Sequence, residues 1–171
     1  QYFITQIYGA SRGLARTLYP YDYSFTSFLK KSSFLPAMFT STETTRKERK
    51  ETNNWYRSSV QSREISTPVR RSTATSTRSS TFSFGRAPVH DLASALMYLR
   101  RINLKIGETA VLVVHPFASP YLARITVLTR EVHRGLKCLK MELKLQKIGT
   151  KGELIGYDKM KTATLWLSDD H

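Results

Sequence analysis

A single cysteine, Cys138, excludes an intrachain disulfide, and its place in the alternating run CLKMELKL makes it a small buried or half-buried side chain. No run approaches the roughly 20 consecutive apolar residues that cross a bilayer as a helix, and no charged-then-apolar leader occurs in these residues. A glycine-rich phosphate loop and a nucleophile elbow are also absent. The four histidines, His90, His115, His133 and His171, do not fall at a metal-ligand spacing such as two residues four apart on a helix. They read as ordinary surface or strand-end residues. Asp169, Asp170 and His171 could hold a cation or orient a proton transfer, but at a strand end they read as a turn. No catalytic, cofactor-binding or metal-ligating residue is nominated, and the residues argue against an enzyme.

Acidic side chains are the scarce charge. Thirteen Asp and Glu stand against 27 Lys and Arg, a net charge of +14, which bears on partners rather than on fold. Nucleic acid, anionic lipid and acidic polysaccharide all stay open. The run RKERK at Arg46 to Lys50 contains acid as well as base and reads as a solvated strand or turn face. Trp55, Tyr56 and Arg57 interleave aromatic and basic chemistry that could stack bases while tracking phosphates. No ribonucleoprotein-type motif accompanies them, and aromatics on exposed sheets also pack against cross-strand partners.

The one stretch patterned as a well-specified helix is VHDLASALMYLRR, Val89 to Arg101. Asp91 is a good N-cap, and Leu92, Ala95, Leu96 and Leu99 recur at helical spacing, with Leu96 expected to face the core. Arg100 and Arg101 complement the dipole of the last turn, and the turn ending at Gly107 stops the helix. Strand signals dominate elsewhere. Gln1 to Tyr8 is rich in strand formers. GLARTL is a short helical or turn-like entry broken by Pro20, and Tyr21 to Leu29 alternates with Tyr21, Tyr23 and Phe25 on one side. Phe34 to Thr40 carries Pro36, which suggests an edge or a bulge.

Beyond the helix, Thr109 to His115 is a continuous apolar run, and PFASP at Pro116 to Pro120 is a turn. Tyr121 to His133 has an irregularity expected of a bulge. Arg134 and Gly135 turn the chain into Leu136 to Ile148, where Leu139, Met141, Leu143 and Leu145 oppose Cys138, Lys140, Glu142, Lys144 and Gln146. Thr162 to Ser168 closes the series, so successive strands with short turns predict an antiparallel meander.

The fold expected is mainly β: a strongly curved antiparallel sheet or partly open barrel with one short helix from Asp91 to Arg101. At 171 residues the chain suits one domain. Both ends read as cut from something longer. Thr40 to Thr81, rich in Ser, Thr and Arg, has little aliphatic content to offset the entropy of ordering. It reads as long, twisted, mostly solvated strands with a mobile loop near Ser72 to Ser80.

The blocks DLASALMYLRR, Leu104 with Gly107-Glu108, RITVLTRE and TATLWLSDD resemble the bacterial exported-protein family known as domain of unknown function 3108. YPYDYSFTSFLKKSSFLPAMFTST is similar to that family's pair of strands ending in a Leu-Pro step. The resemblance is strongest from Val89 to Asp170. The basic middle departs from the pattern, and the first and last strands are missing. Asp91, Leu96, Tyr98, Leu99, Arg100, Gly107, Trp166, Leu167, Ser168 and Asp169 match the recurrent positions, most with an architectural explanation. The resemblance implies a precursor with a signal peptide, a periplasmic or envelope location, a curved antiparallel sheet with a short helix, and no known reaction. The expectation is therefore an exported envelope protein acting as a non-enzymatic binding or structural module. A concave sheet face would hold a lipid or other hydrophobic ligand, with only weak adhesion to polyanions. The alternative is a basic nucleic-acid-binding protein.

Overall fold

The computed structural model describes residues 1–58, 63–73, 77–84, 87–116, 118–156 and 161–168. It is mainly β, as the period-two patterning requires, with strands divided between two sheets. Sheet A is a six-stranded meander of β1 (Tyr2–Ala10), β2 (Tyr21–Lys30), β3 (Pro36–Thr45), β4 (Arg49–Ser58), β5 (Arg63–Arg71) and β6 (Arg78–Ser83), with the short helix α1 (Gly13–Leu18) between the first two. Sheet B has the order β11-β10-β9-β8-β7, made of β7 (Val89–His90), β8 (Thr109–Val114), β9 (Tyr121–His133), β10 (Leu136–Lys147) and β11 (Lys161–Ser168). It curls into a half-barrel. Every pairing is antiparallel except β7 with β8. A parallel pair needs a crossover, and helix α2 (Leu92–Arg101) provides it.

Local chemistry explains the elements. Asp91 caps α2 through a reciprocal capping box with Ser94. Arg134 and Gly135 both take positive φ, 51° and 82°, the backbone of a two-residue hairpin turn that matches strand twist. On β9, Thr129 pairs with Lys140 and Val127 with Met141, so Leu128 is the extra residue of the expected bulge, which bends the strand. The register also shifts beside Pro36.

The concave face of sheet B is filled. Leu99, Ala110, Leu112, Val114, Ala123, Ile125, Val127 and Met141 form its core, with Ala95, Ile102, Leu139, Leu143, Leu145, Leu165 and Leu167 packed around them. The apolar side of β10 faces inward as its alternation required. Its other side is also partly covered: Cys138 is buried and free, and Gln146 is buried while donating to the Ile155 carbonyl.

Two expectations need correction. Leu96 does not face the core: it is 43% exposed, whereas Leu99 is 5% exposed. The strands of the 40–81 segment are solvated on one face only, because Ser41, Thr52, Asn54, Ile65 and Thr67 line the buried face of sheet A. Residues 74–76, within the expected loop near Ser72 to Ser80, lie outside the described set, as do Phe117, Asp169, Asp170 and His171. RKERK, by contrast, forms the β3–β4 turn and the start of β4, with Glu48 paired to Arg71 and Lys50 to Glu43. Leu99→Ala should cost about 2–5 kcal/mol through lost burial and a residual cavity. Leu96→Ala should stay within about 0.5 kcal/mol. Urea melts of the two variants check the placement of α2.

Candidate functional site

Two features stand apart from ordinary packing. The first is a buried polar seam between the sheets. The inner face of sheet A mixes Phe25, Leu29, Phe39, Ile65 and Phe82 with Ser27, Ser41, Thr52, Asn54 and Thr67. Small polar side chains at buried strand positions need polar partners, and the edge of sheet B brings them for Ser27, Asn54 and Thr67, while the Ser41 and Thr52 hydroxyls are buried with none among the described residues. The backbone N–H of His115 donates to the His90 carbonyl at 2.7 Å, which sets Asp91 and His115 side by side. Asp91, fully buried, accepts from the Ser27 hydroxyl across the interface and from the Ser94 N–H at 2.7 Å within its own helix.

His115, also fully buried, has Nδ1 3.0 Å from Asn54 Nδ2 and Nε2 3.5 Å from Thr67 Oγ1. An amide nitrogen can only donate, so in this arrangement Nδ1 accepts and the ring proton lies on Nε2, toward Thr67. Tyr56 OH donates to the His115 carbonyl at 3.0 Å, and the Tyr56 and Phe82 rings meet the imidazole edge-on. Burial pushes the Asp91 carboxyl up, against the opposing effect of its hydroxyl and amide donors. Burial, with the nearby Asp91 charge, also pushes the Tyr56 phenol well up. With Asp91 and His115 fully buried and Tyr56 half-buried, these groups act as a connection between sheets.

The second feature is a pair of clefts flanking the C-terminal end of α2. One, about 340 Å³, lies between α2 and the β2–β3 turn and is lined by Ser33, Phe34, His90, Ser94, Tyr98, Arg101 and Ile102. The other, about 280 Å³, lies between α2 and sheet B, with Leu99, Leu104, Leu139 and Leu167 as its floor and Arg100, Arg101 and Arg130 around it. Arg101 and Ile102 belong to both, and among the described residues no acidic side chain lines either. Phe34 takes φ 56°, a conformation that costs a bulky residue about 1–3 kcal/mol. Its N–H bonds to the Lys30 carbonyl at 2.8 Å, its ring stacks on Phe3 at 5.4 Å, and the Arg101 guanidinium lies 5.0 Å over it.

The residues singled out from sequence scatter. Trp55 is exposed, while Tyr56 points inward to His115, so the Trp55-Tyr56-Arg57 triplet does not form one stacking face. His90 and His115 are strand-end residues as expected, but both are buried, with His90 packed on Tyr98 at 5.3 Å. His133 stacks on Trp166 at 4.3 Å, and Trp166 donates to Glu131 at 2.8 Å. Of the recurrent positions, Tyr98, Leu99, Arg100, Leu167 and Ser168 meet at the clefts, and Arg100 donates to Ser168 at 2.8 Å. Sequence reasoning missed Phe34 and the seam partner Ser27. No local pattern marked either.

A family model described as "Protein of unknown function (DUF3108)" matches residues 1–171, the whole chain. No curated protein and no solved structure gives a match.

Burial raises the Asp91 carboxyl, so its protonation is coupled to folding. Between the ordinary carboxylate value of about 4 and the raised folded value, the folded state holds more protons, so stability falls as pH rises through that window. Asp91→Asn keeps cap and hydrogen-bonding geometry without a charge. It should gain stability relative to the parent chain as pH rises from about 4 toward neutrality. Asp91→Ala should cost about 1–3 kcal/mol by stranding Ser27 and the Ser94 N–H. Thermal melts of the three chains across pH check both statements.

Proposed function

The chain belongs to the DUF3108 family, and from that premise we propose that it is an exported, envelope-located, non-enzymatic binding module for an anionic amphiphile. The observation that carries this reading is the pair of clefts sharing Arg101 and Ile102, apolar inside and basic at the rim. The first falls within the range of about 300–1,000 Å³ usual for small-molecule sites, and the second lies just below it. Because the concave face of sheet B is itself core, the ligand's apolar part sits beside α2 rather than across the open sheet. Its acidic head rests on Arg100 and Arg101.

The negative end of the helix dipole opposes an anion there, but it amounts to roughly half a unit charge. Two full guanidinium charges outweigh it. The strained Phe34 supports the same location, since backbone strain gathers at ligand clamps. The net charge of +14 adds weak, salt-labile adhesion to polyanions. Specific nucleic-acid recognition is not part of the reading.

Titration with a fluorescent fatty-acid analogue should give saturable uptake that changes little between low and physiological salt. Arg101 is exposed, so Arg101→Glu leaves the fold intact. It should weaken the acid probe by about tenfold or more, the cost of removing a charge-assisted contact, with little effect on the matching neutral alcohol. Submicromolar binding of RNA or duplex DNA that survives physiological salt, with no uptake of the acid probe, would overturn the proposal in favour of a nucleic-acid-binding protein.

A further inference from the structure

The opposite end of sheet A carries a different surface. Helix α1 is one and a half turns long, and its Leu14 and Leu18, four residues apart and so on one side, are 82% and 65% exposed; Tyr19 beside them is 78% exposed. None of the three belongs to the core. The β3–β4 turn lies alongside, because Arg46 Nη2 donates to the Thr17 carbonyl at 2.9 Å.

Charge at this end is one-sided. Asp22, Glu43, Glu48 and Glu51 are each engaged in an ion pair, with Arg16, Lys50, Arg71 and Arg49 respectively. Exposed Arg12, Arg46 and Lys47 have no acidic partner among the described residues. An apolar prong is thus set in a basic surround.

We propose that this end of sheet A docks reversibly on an anionic lipid bilayer, with Leu14, Leu18 and Tyr19 entering the headgroup boundary and Arg12, Arg46 and Lys47 lying on the lipid charge. Aliphatic side chains with an interfacial tyrosine and flanking cations are the chemistry that such a boundary rewards. A protein partner fits less well. Three side chains on a single turn fall far short of the roughly 800 Å² per partner that a stable interface buries. A nucleic-acid backbone would use the cations but leave both leucines in water. The docking surface is independent of the α2 clefts, which adjoin the β2–β3 turn at the other end of the sheet, so either proposal can fail alone.

Sedimentation of the full chain with vesicles tests it, comparing phosphatidylcholine alone with phosphatidylcholine containing about one-third phosphatidylglycerol at physiological salt. The chain should pellet with the anionic vesicles and stay in solution with the neutral ones. Leu14→Glu/Leu18→Glu, and the milder Leu14→Ser/Leu18→Ser, should melt like the parent chain. The first should partition at least about tenfold more weakly onto anionic vesicles, and the second should also partition less. Arg134→Gln/Lys137→Gln lowers the net charge as much as the glutamate pair does, but on the distant β9–β10 turn, and should bind almost normally. Equal loss in the glutamate pair and this distant pair would mean that net charge alone drives adhesion and would overturn the proposal. So would full binding by both leucine pairs, or parent-chain binding abolished by duplex DNA with no sensitivity to the leucines.

Discussion

The carboxylate of Asp91 serves two structures at once. It caps α2 and it accepts from Ser27 on sheet A, so the position of the helix and the docking of the sheets depend on the same buried group. Removing a carboxylate from water is expensive unless donors replace the water. Here Ser27 and Ser94 provide them, and the raised carboxyl shows that the replacement is incomplete. His115 repeats the device one strand away, with Asn54, Thr67 and Tyr56 as its partners. Sheet A therefore meets sheet B through directed hydrogen bonds as well as apolar contact, which fixes register more sharply than greasy surfaces alone.

Once the seam is closed and the concave face of sheet B is filled by α2, the two clefts beside the helix lie at its C-terminal end. There the polypeptide sustains a left-handed Phe34 under a guanidinium. The same helix that completes the core thus forms the common wall of both clefts, and its last turn, rich in arginine for reasons of helix electrostatics, also supplies their charge. Architecture and binding chemistry share residues, which is why Tyr98, Leu99 and Arg100 admit both a structural and a functional explanation.

Much of this was legible in the chain. The Asp91 cap, the Arg134-Gly135 turn, the irregular β9 and the alternation of β10 are local features, and local rules found them. Two readings failed for identifiable reasons. Leu96 lies on the flank of a stripe whose centre runs through Ala95 and Leu99, and spacing alone does not mark where a stripe ends. The inner face of sheet A looked solvated because Ser41, Thr52, Asn54 and Thr67 register as polar in any periodicity count. Asn54 and Thr67 are buried against a partner elsewhere in sequence, His115, which is 61 and 48 residues away, as Ser27 is against Asp91, 64 residues away, while Ser41 and Thr52 are buried with no polar partner among the described residues. Likewise, a strand-end histidine such as His115 carries no local mark of the sheet that will cover it.

An anionic amphiphile held in the clefts beside α2 should be visible by native mass spectrometry of the protein purified from its own host. The expected result is a bound species with the mass of a single-headed acidic lipid, released on gentle activation and depleted in the Arg101→Glu variant. Protein carrying nucleotide or oligonucleotide adducts, with no lipid-sized mass in either chain, would contradict it.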